Sequence, residues 1–260
     1  MRIGICGSIE QSAQLKEFGA DFVEENVQRL LLPQAEEETY AKAREAFPDP
    51  VLPVPAANCF LPGALKCVGP AVDREALLRY AEHAFMRAHD IGLEVIVFGS
   101  GGSRAIPEGF DREKAKAQFV ALLKDLGPLA EGLGVHVVVE PLNRGECNFI
   151  NSLADGAELV RAAGHPHIRL LADFFHMLRE DEPPEAIDEF GSLLRHVHLA
   201  EKAQRTAPGV AGDDFLPYLE ALKRVGYADL ISIECKWNDL ATEAPLSVAY
   251  LRGQLAEAGL

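Results

Sequence analysis

Residues 134–173 read GVHVVVEPLNRGECNFINSLADGAELVRAAGHPHIRLLAD and contain one complete strand–loop–helix–strand unit. VHVVVEPL (135–142) is a β-branched run too short for a helix, closed by an acid and a proline. Ser152 stands where an N-cap belongs, ahead of the periodic run LADGAELV, and Gly164 stands where that helix stops. IRLLAD (168–173) is a second apolar run closed by an acid. Two nearly continuous apolar strands joined by a helix are the unit of a parallel sheet covered on both faces.

The unit repeats outward in both directions. Strands are expected at 2–6, 21–27, 52–60, 94–99, 135–142, 168–173, 195–200 and 230–236. Helices are expected at 8–18, 36–46, 73–91, 111–133, 152–163, 184–194, 214–225 and 243–258. Asp73 and Asp111 occupy N-cap positions, and Gly19, Gly92, Gly134 and Gly226 each stand between a helix and the next strand. Eight such repeats predict the α/β class and a single (β/α)₈ TIM barrel, one domain over 1–260. An open doubly wound sheet would carry GxGxxG after its first strand, whereas strand one here runs into Cys6-Gly7-Ser8.

Composition narrows the function classes. Acids outnumber bases 40 to 25, a net charge of −15, which argues against a nucleic-acid partner. No stretch approaches the ~18 apolar residues of a membrane span. The opening MRIGICGSIEQ is a short strand pattern followed by polar residues rather than a signal peptide. Five cysteines, Cys6, Cys59, Cys67, Cys147 and Cys235, lack CxxC spacing and suit reduced thiols in a cytoplasmic protein.

In such a barrel, chemistry sits where strands end. Strand five ends at Glu140, on the same side as Val138 and His136. Strand six ends at Asp173, with His176 three residues on. Strand seven carries His196 and His198 on one face, His198 nearer the active mouth and His196 an interior, hydrogen-bonded residue. Strand eight ends at Glu234, in line with Ser232. Two glutamates, one aspartate and one imidazole converging on one mouth predict an oxygen-rich site for one divalent ion. Mn²⁺ or Mg²⁺ suits that set, and Co²⁺, Fe²⁺ or Zn²⁺ is compatible with it. The Gly-rich loop 99–109 lacks the lysine of a P-loop, and its Arg104 is a candidate for a substrate anion or for the surface. Phe60, Phe110 and Trp237 are candidates either for stacking on a sugar or for the core.

Glu140, Asp173-x-x-His176, His198 and Glu234, in that order, resemble the xylose-isomerase-like TIM-barrel superfamily of sugar isomerases and epimerases, and within it the D-tagatose 3-epimerase group. The stretch EPLNRGECNFINSLADGAELV is similar to that group's ExxNRxE segment, so Glu146 matches its second glutamate. The resemblance covers essentially the whole chain and is specific from 135 to 237.

That resemblance implies one divalent metal, Mn²⁺ by preference, held by Glu140, Asp173, His198 and Glu234. It implies substrate contacts from His176, Glu146 and Arg205. The loop after strand seven, HLAEKAQR, is one residue longer than the family's HxxExxR, and Arg205 is the counterpart of its arginine. The implied activity is epimerisation or isomerisation of a ketose or related α-hydroxycarbonyl sugar. Glu140 and Glu234 would transfer protons on opposite faces of one carbon, through a metal-stabilised enediolate. The same enediolate would serve an inosose-dehydratase-like lyase, and a sugar-binding barrel without turnover is the other class of reading. Endonuclease IV-like relatives need further histidines for three zinc ions. This chain has Asn58, Gly99-Ser100 and Asp213-Asp214-Phe215 at those places, which sets the nuclease reading aside. A homodimer or homotetramer is implied by the family alone.

Overall fold

The computed structural model describes all 260 residues. Eight parallel strands pair in sequence order and close into a barrel through the first and last. They are β1 (Arg2–Cys6), β2 (Phe22–Asn26), β3 (Ala56–Asn58), β4 (Val95–Phe98), β5 (His136–Val139), β6 (Ile168–Asp173), β7 (Leu194–Leu199) and β8 (Leu230–Ile233). Helices α1 (Ser12–Glu17), α3 (Glu37–Ala46), α4 (Arg74–Asp90), α6 (Arg112–Gly132), α7 (Leu153–Ala163), α9 (Glu185–Phe190), α10 (Leu216–Arg224) and α11 (Leu240–Ala258) follow the strands in turn. Asp73, Asp111 and Ser152 each accept the backbone N–H three residues on, as N-caps do. Gly164 closes α7 with φ of 67°, a conformation that costs a residue with a Cβ.

The strands are shorter than the apolar runs that announced them, and proline explains two of the differences. Within 52–60 only Ala56–Asn58 pairs as a strand. Pro53 and Pro55 have no N–H to give, and serve only as acceptors, from Val23 and from Glu94 and Val95. Strand five ends at Val139 because Pro141 follows, so Glu140 stands just beyond the last paired residue. The helix expected at 8–18 opens as a 3₁₀ turn, Ile9–Gln11, before α1.

Three short helices were not expected: α2 (Val27–Leu30), α5 (Gly101–Arg104) and α8 (Phe174–Arg179). All three lie at the C-terminal mouth of the barrel, just after β2, β4 and β6. For α2 and α8 the last strand residue is itself the N-cap. Asn26 accepts from Gln28 and Arg29, and Asp173 accepts from Phe175.

Inside the barrel, Phe22, Ala56, Val95, Val97, Val138, Leu171 and Leu230 form an apolar plug. A larger core of 65 buried residues fills the space between sheet and helices. Phe60 belongs to that core, stacked on Phe85 and edge-on to Tyr80 and Phe98, and Phe110 and Trp237 pack against its margin. Phe60, fully buried, is therefore no platform for a sugar.

Candidate active site

Above the apolar plug the barrel interior becomes polar. His196 and His198 are fully buried on β7, and Ser232 is fully buried beside them on β8. Their partner is Glu24 on β2. Its two carboxylate oxygens accept from His196 Nε2 at 2.7 Å and His198 Nε2 at 2.8 Å. Burial alone would raise the pKa of Glu24, but the two imidazoles outweigh it and hold the carboxyl well below the usual range. A carboxylate there fixes the proton of His198 on Nε2 and leaves Nδ1 as the free nitrogen.

His198 Nδ1 looks upward at the acids from β5 and β8. It lies 3.4 Å from Glu140 Oε1 and 3.3 Å from Glu234 Oε2. Asp173 completes the group, and ligand atoms of all four residues fall within 4.8 Å of one another. Glu140, Asp173 and His198 are 6%, 2% and 0% exposed. Such a concentration of buried carboxylate is costly without a cation. Burial raises the pKa of Glu140 and pushes that of Asp173 up to about 6. At His198, burial opposes the imidazolium, yet the carboxylates of Glu24 and Glu234 raise its pKa well above the histidine range.

The donor set fits a divalent ion. Glu140 Oε1, Asp173 Oδ2 and His198 Nδ1 are buried, have no hydrogen-bond partner, and belong to three of the four converging residues. A cation bound among them would satisfy all three.

His176 stands apart from this group chemically. Asn143 donates its backbone N–H to His176 Nδ1 at 3.1 Å, and its side-chain nitrogen lies 2.8 Å from the same atom. Nδ1 is therefore an acceptor, and the proton of the neutral ring is on Nε2. Burial lowers its pKa and keeps it neutral. Nε2 lies 3.4 Å from Asp173 Oδ2 and has no hydrogen-bond partner. It is a hydrogen-bond donor rather than a lone pair, the right character for a substrate oxygen and the wrong one for a cation.

Arg205 reaches the cluster from the loop after β7. Its guanidinium pairs with Glu234 Oε2, and its Nε donates to the Glu234 carbonyl at 3.0 Å. It also lies 3.7 Å from Asp173 and 3.6 Å from Glu146. In this loop Gln204 and Arg205 both adopt left-handed backbone, at φ of 58°. Glu201, fully buried, ties the loop together, accepting from Thr206 Oγ1 and from the backbone of Gly209, Ala211 and Gly212. Asn58 on β3 donates to Glu234 Oε1 at 3.0 Å.

A cavity of about 310 Å³ opens above the cluster, and Glu140, Glu234, His176, Glu146 and Arg205 all line it. The seven residues that the family resemblance assigned to metal and substrate thus come together. Arg104 does not join them. It is fully buried and donates to the carbonyls of Phe98 at 2.8 Å and Glu140 at 2.5 Å, tying together the ends of β4 and β5. Its role is structural and it is not on the surface. Glu24, Asn143 and Glu201 were not singled out as site residues. The clue to Glu24 was its parity with Phe22 in FVEEN, which places an acid inside the barrel.

Known proteins resemble this chain at several levels. It is 33% identical over 133 residues to a 3-dehydro-D-guloside 4-epimerase of Escherichia coli K12, the match covering 50% of each chain. It is 33% identical over 125 residues to a D-psicose 3-epimerase of Ruminiclostridium cellulolyticum, covering 48% of this chain and 42% of that one. The aligned portion is thus about half the length of these curated relatives. The crystal structure of D-psicose 3-epimerase with D-tagatose from Clostridium cellulolyticum H10 superposes over 98% of this chain and 99% of its own, at a TM-score of 0.84 and 20% identity. At that identity the likeness speaks for the fold. The family model described as the xylose isomerase-like TIM barrel matches residues 12–254, and the chain belongs to that family.

Proposed function

We infer that this protein is a divalent-metal-dependent epimerase or isomerase of a ketose or related α-hydroxycarbonyl sugar. The observation that carries this reading is the pair Glu140 and Glu234. They rise from β5 and β8, meet over one imidazole nitrogen and face one cavity of sugar size. The relatives are named as sugar epimerases, which agrees with it.

Glu140, Asp173, His198 and Glu234 would hold the ion, and Mn²⁺ suits three carboxylates with one imidazole. When bound, it supplies electrophilic stabilisation of negative charge on the substrate carbonyl oxygen. The protein's own residues do the rest. One glutamate removes the proton from the carbon beside the carbonyl, and the electron pair enters the enediolate. The other glutamate delivers a proton to the opposite face, which inverts the centre, and the opposite epimer uses the two in reverse order. His176 donates Nε2–H to a substrate oxygen. Arg205 holds Glu234 in place and borders the cavity with Glu146. The cytoplasm is the compartment we assign, on five free cysteines, and no helix is long and apolar enough to cross a membrane.

The test uses Glu140→Gln and Glu234→Gln, each loaded with excess Mn²⁺, and follows exchange of substrate hydrogen with D₂O by NMR for both epimers of a ketose panel. Gln keeps an oxygen but cannot take up the proton. Exchange should fall by roughly 10²–10⁴, more severely for a different epimer in each variant. Near-wild-type exchange in both metal-loaded variants would remove the glutamates from proton transfer.

A further inference from the structure

A second cavity, of about 770 Å³, opens beside the first and shares Glu146 and Arg205 with it. Its outer wall includes Arg179 at the end of α8 and Lys236 and Asn238 beyond β8. Phe175 is its one apolar residue, and that ring is already covered by the Arg205 guanidinium, 4.6 Å from its centroid. No bare aromatic face remains on which a second sugar ring could stack.

Charge is the second observation. Arg179, Arg205 and Lys236 line this space against a single carboxylate, Glu146. Arg205 is engaged with Glu234. The neighbouring cations Arg144 and Lys202 are taken by Glu180 and Asp181. Arg179 and Lys236 have neither an ion pair nor a side-chain hydrogen bond, in a chain with 40 acids to 25 bases. Two uncommitted cations lining a cavity that shares Glu146 and Arg205 with the reaction site stand out in a chain of net charge −15.

We propose that the outer cavity is a subsite for an anionic group of the substrate, a phosphate or a carboxylate, remote from the carbon between Glu140 and Glu234. Arg179 and Lys236 are its recognition residues, one offering a planar fork and the other a point charge. This rests on the sugar-epimerase reading above and names the substrate class within it.

Three substrates test it on the metal-loaded full chain: a neutral ketohexose, its 6-phosphate, and the matching keto acid with a C6 carboxylate. The readout is the charged-to-neutral ratio of kcat/KM, taken from hydrogen exchange in D₂O. The ratio should exceed tenfold for at least one anion, and the larger of the two identifies its chemistry. Arg179→Ala and Lys236→Ala should each lower it about tenfold, and added NaCl should erode it. In parallel, inorganic phosphate is titrated calorimetrically into Mg²⁺-loaded wild type and both variants, where binding should weaken about tenfold in each variant. A ratio near one with neutral exchange intact overturns the subsite and spares the epimerase reading, as does a high ratio that neither variant moves. No exchange on any substrate, with phosphate binding still lost in the variants, supports the subsite and removes the epimerase reading. Absent exchange with variant-insensitive phosphate binding overturns both.

Discussion

Glu24 shows how one buried carboxylate sets the chemistry of two imidazoles at a distance from the substrate space. It accepts from His196 and His198, so His198 presents Nδ1 to Glu140 and Glu234. Glu24→Gln keeps the shape and removes the charge. Its amide has one oxygen to accept with, and its NH₂ would face an imidazole N–H. Metal affinity should fall about 10–100-fold, the usual cost of losing such an orienting partner. A calorimetric Mn²⁺ titration checks this, with circular dichroism to establish that the fold persists. Affinity within twofold of wild type would show that His198 needs no such support. Glu24 escaped the sequence reading because FVEEN holds two adjacent acids, and its parity with Phe22 marks the inward face only once Phe22 is known to lie in the barrel interior. Glu140 and Glu234 were legible because each closes a run already apolar on one face. His176 was legible through its spacing from Asp173, which the structure explains as N-cap and third helical residue of α8.

Elements follow local rules that the sequence carries well, and depart from them where packing or proline intervenes. The eight strands and the long helices were readable from apolar runs, caps and glycines. Helices α2, α5 and α8 are too short for a periodic signal, and the N-caps of α2 and α8 double as strand ends. Inside the sheet, Gly4 on β1 pairs directly with Phe22 on β2, and a Cβ at Gly4 would lie 2.1 Å from the Phe22 ring. Gly4→Ala should therefore destabilise the barrel by about 1–3 kcal/mol, measured by denaturant unfolding. An unchanged midpoint would mean the plug can repack. A second effect concerns the start of α7. Glu182 accepts the Leu153 N–H at 2.9 Å, close to Asp155, and the Glu182 carbonyl accepts from Tyr218. Burial pushes its pKa up to about 7, against 4.5 for the free side chain. Below the lower value both states are neutral and the full stability is present. Between the two values the unfolded chain ionises and the folded one does not, so stability is lost as pH rises. Glu182→Gln keeps an acceptor without a charge. It should gain about 1–2 kcal/mol at pH 8, after discounting for partial solvation, and nothing at pH 4. A pH-independent gain would assign the effect to packing.

At the scale of the whole molecule, the barrel divides its labour between an apolar frame and a charged centre. The 65-residue core is built from apolar side chains packed between sheet and helices, and the four converging side chains are gathered at the barrel mouth. The centre carries Glu24, Glu140, Asp173 and Glu234 against the Arg205 guanidinium and the imidazoles of His196 and His198. In the folded chain these carboxylates are held together whether or not a cation accompanies them, and in the unfolded chain they disperse into water. A cation that binds the assembled centre and not the dispersed one therefore stabilises the fold by mass action. At a free concentration of about 100 Kd the gain is roughly 2.7 kcal/mol. For a chain of this length that corresponds to a rise in Tm of about 5 °C. Thermal melts of EDTA-treated protein with and without Mn²⁺, Mg²⁺, Co²⁺ or Zn²⁺ would measure it, and the order of the shifts ranks the ions. Stripping the metal should lower Tm while leaving far-ultraviolet circular dichroism at room temperature unchanged, since the frame stands without it. Asp173→Asn, which withdraws one charge from the centre but keeps an acceptor for the Phe175 N–H, should shrink the metal-dependent shift. If none of the four ions moves the melt, or if Asp173→Asn responds as wild type does, these side chains are not a cation site. Their burial would then have to be explained by protons alone.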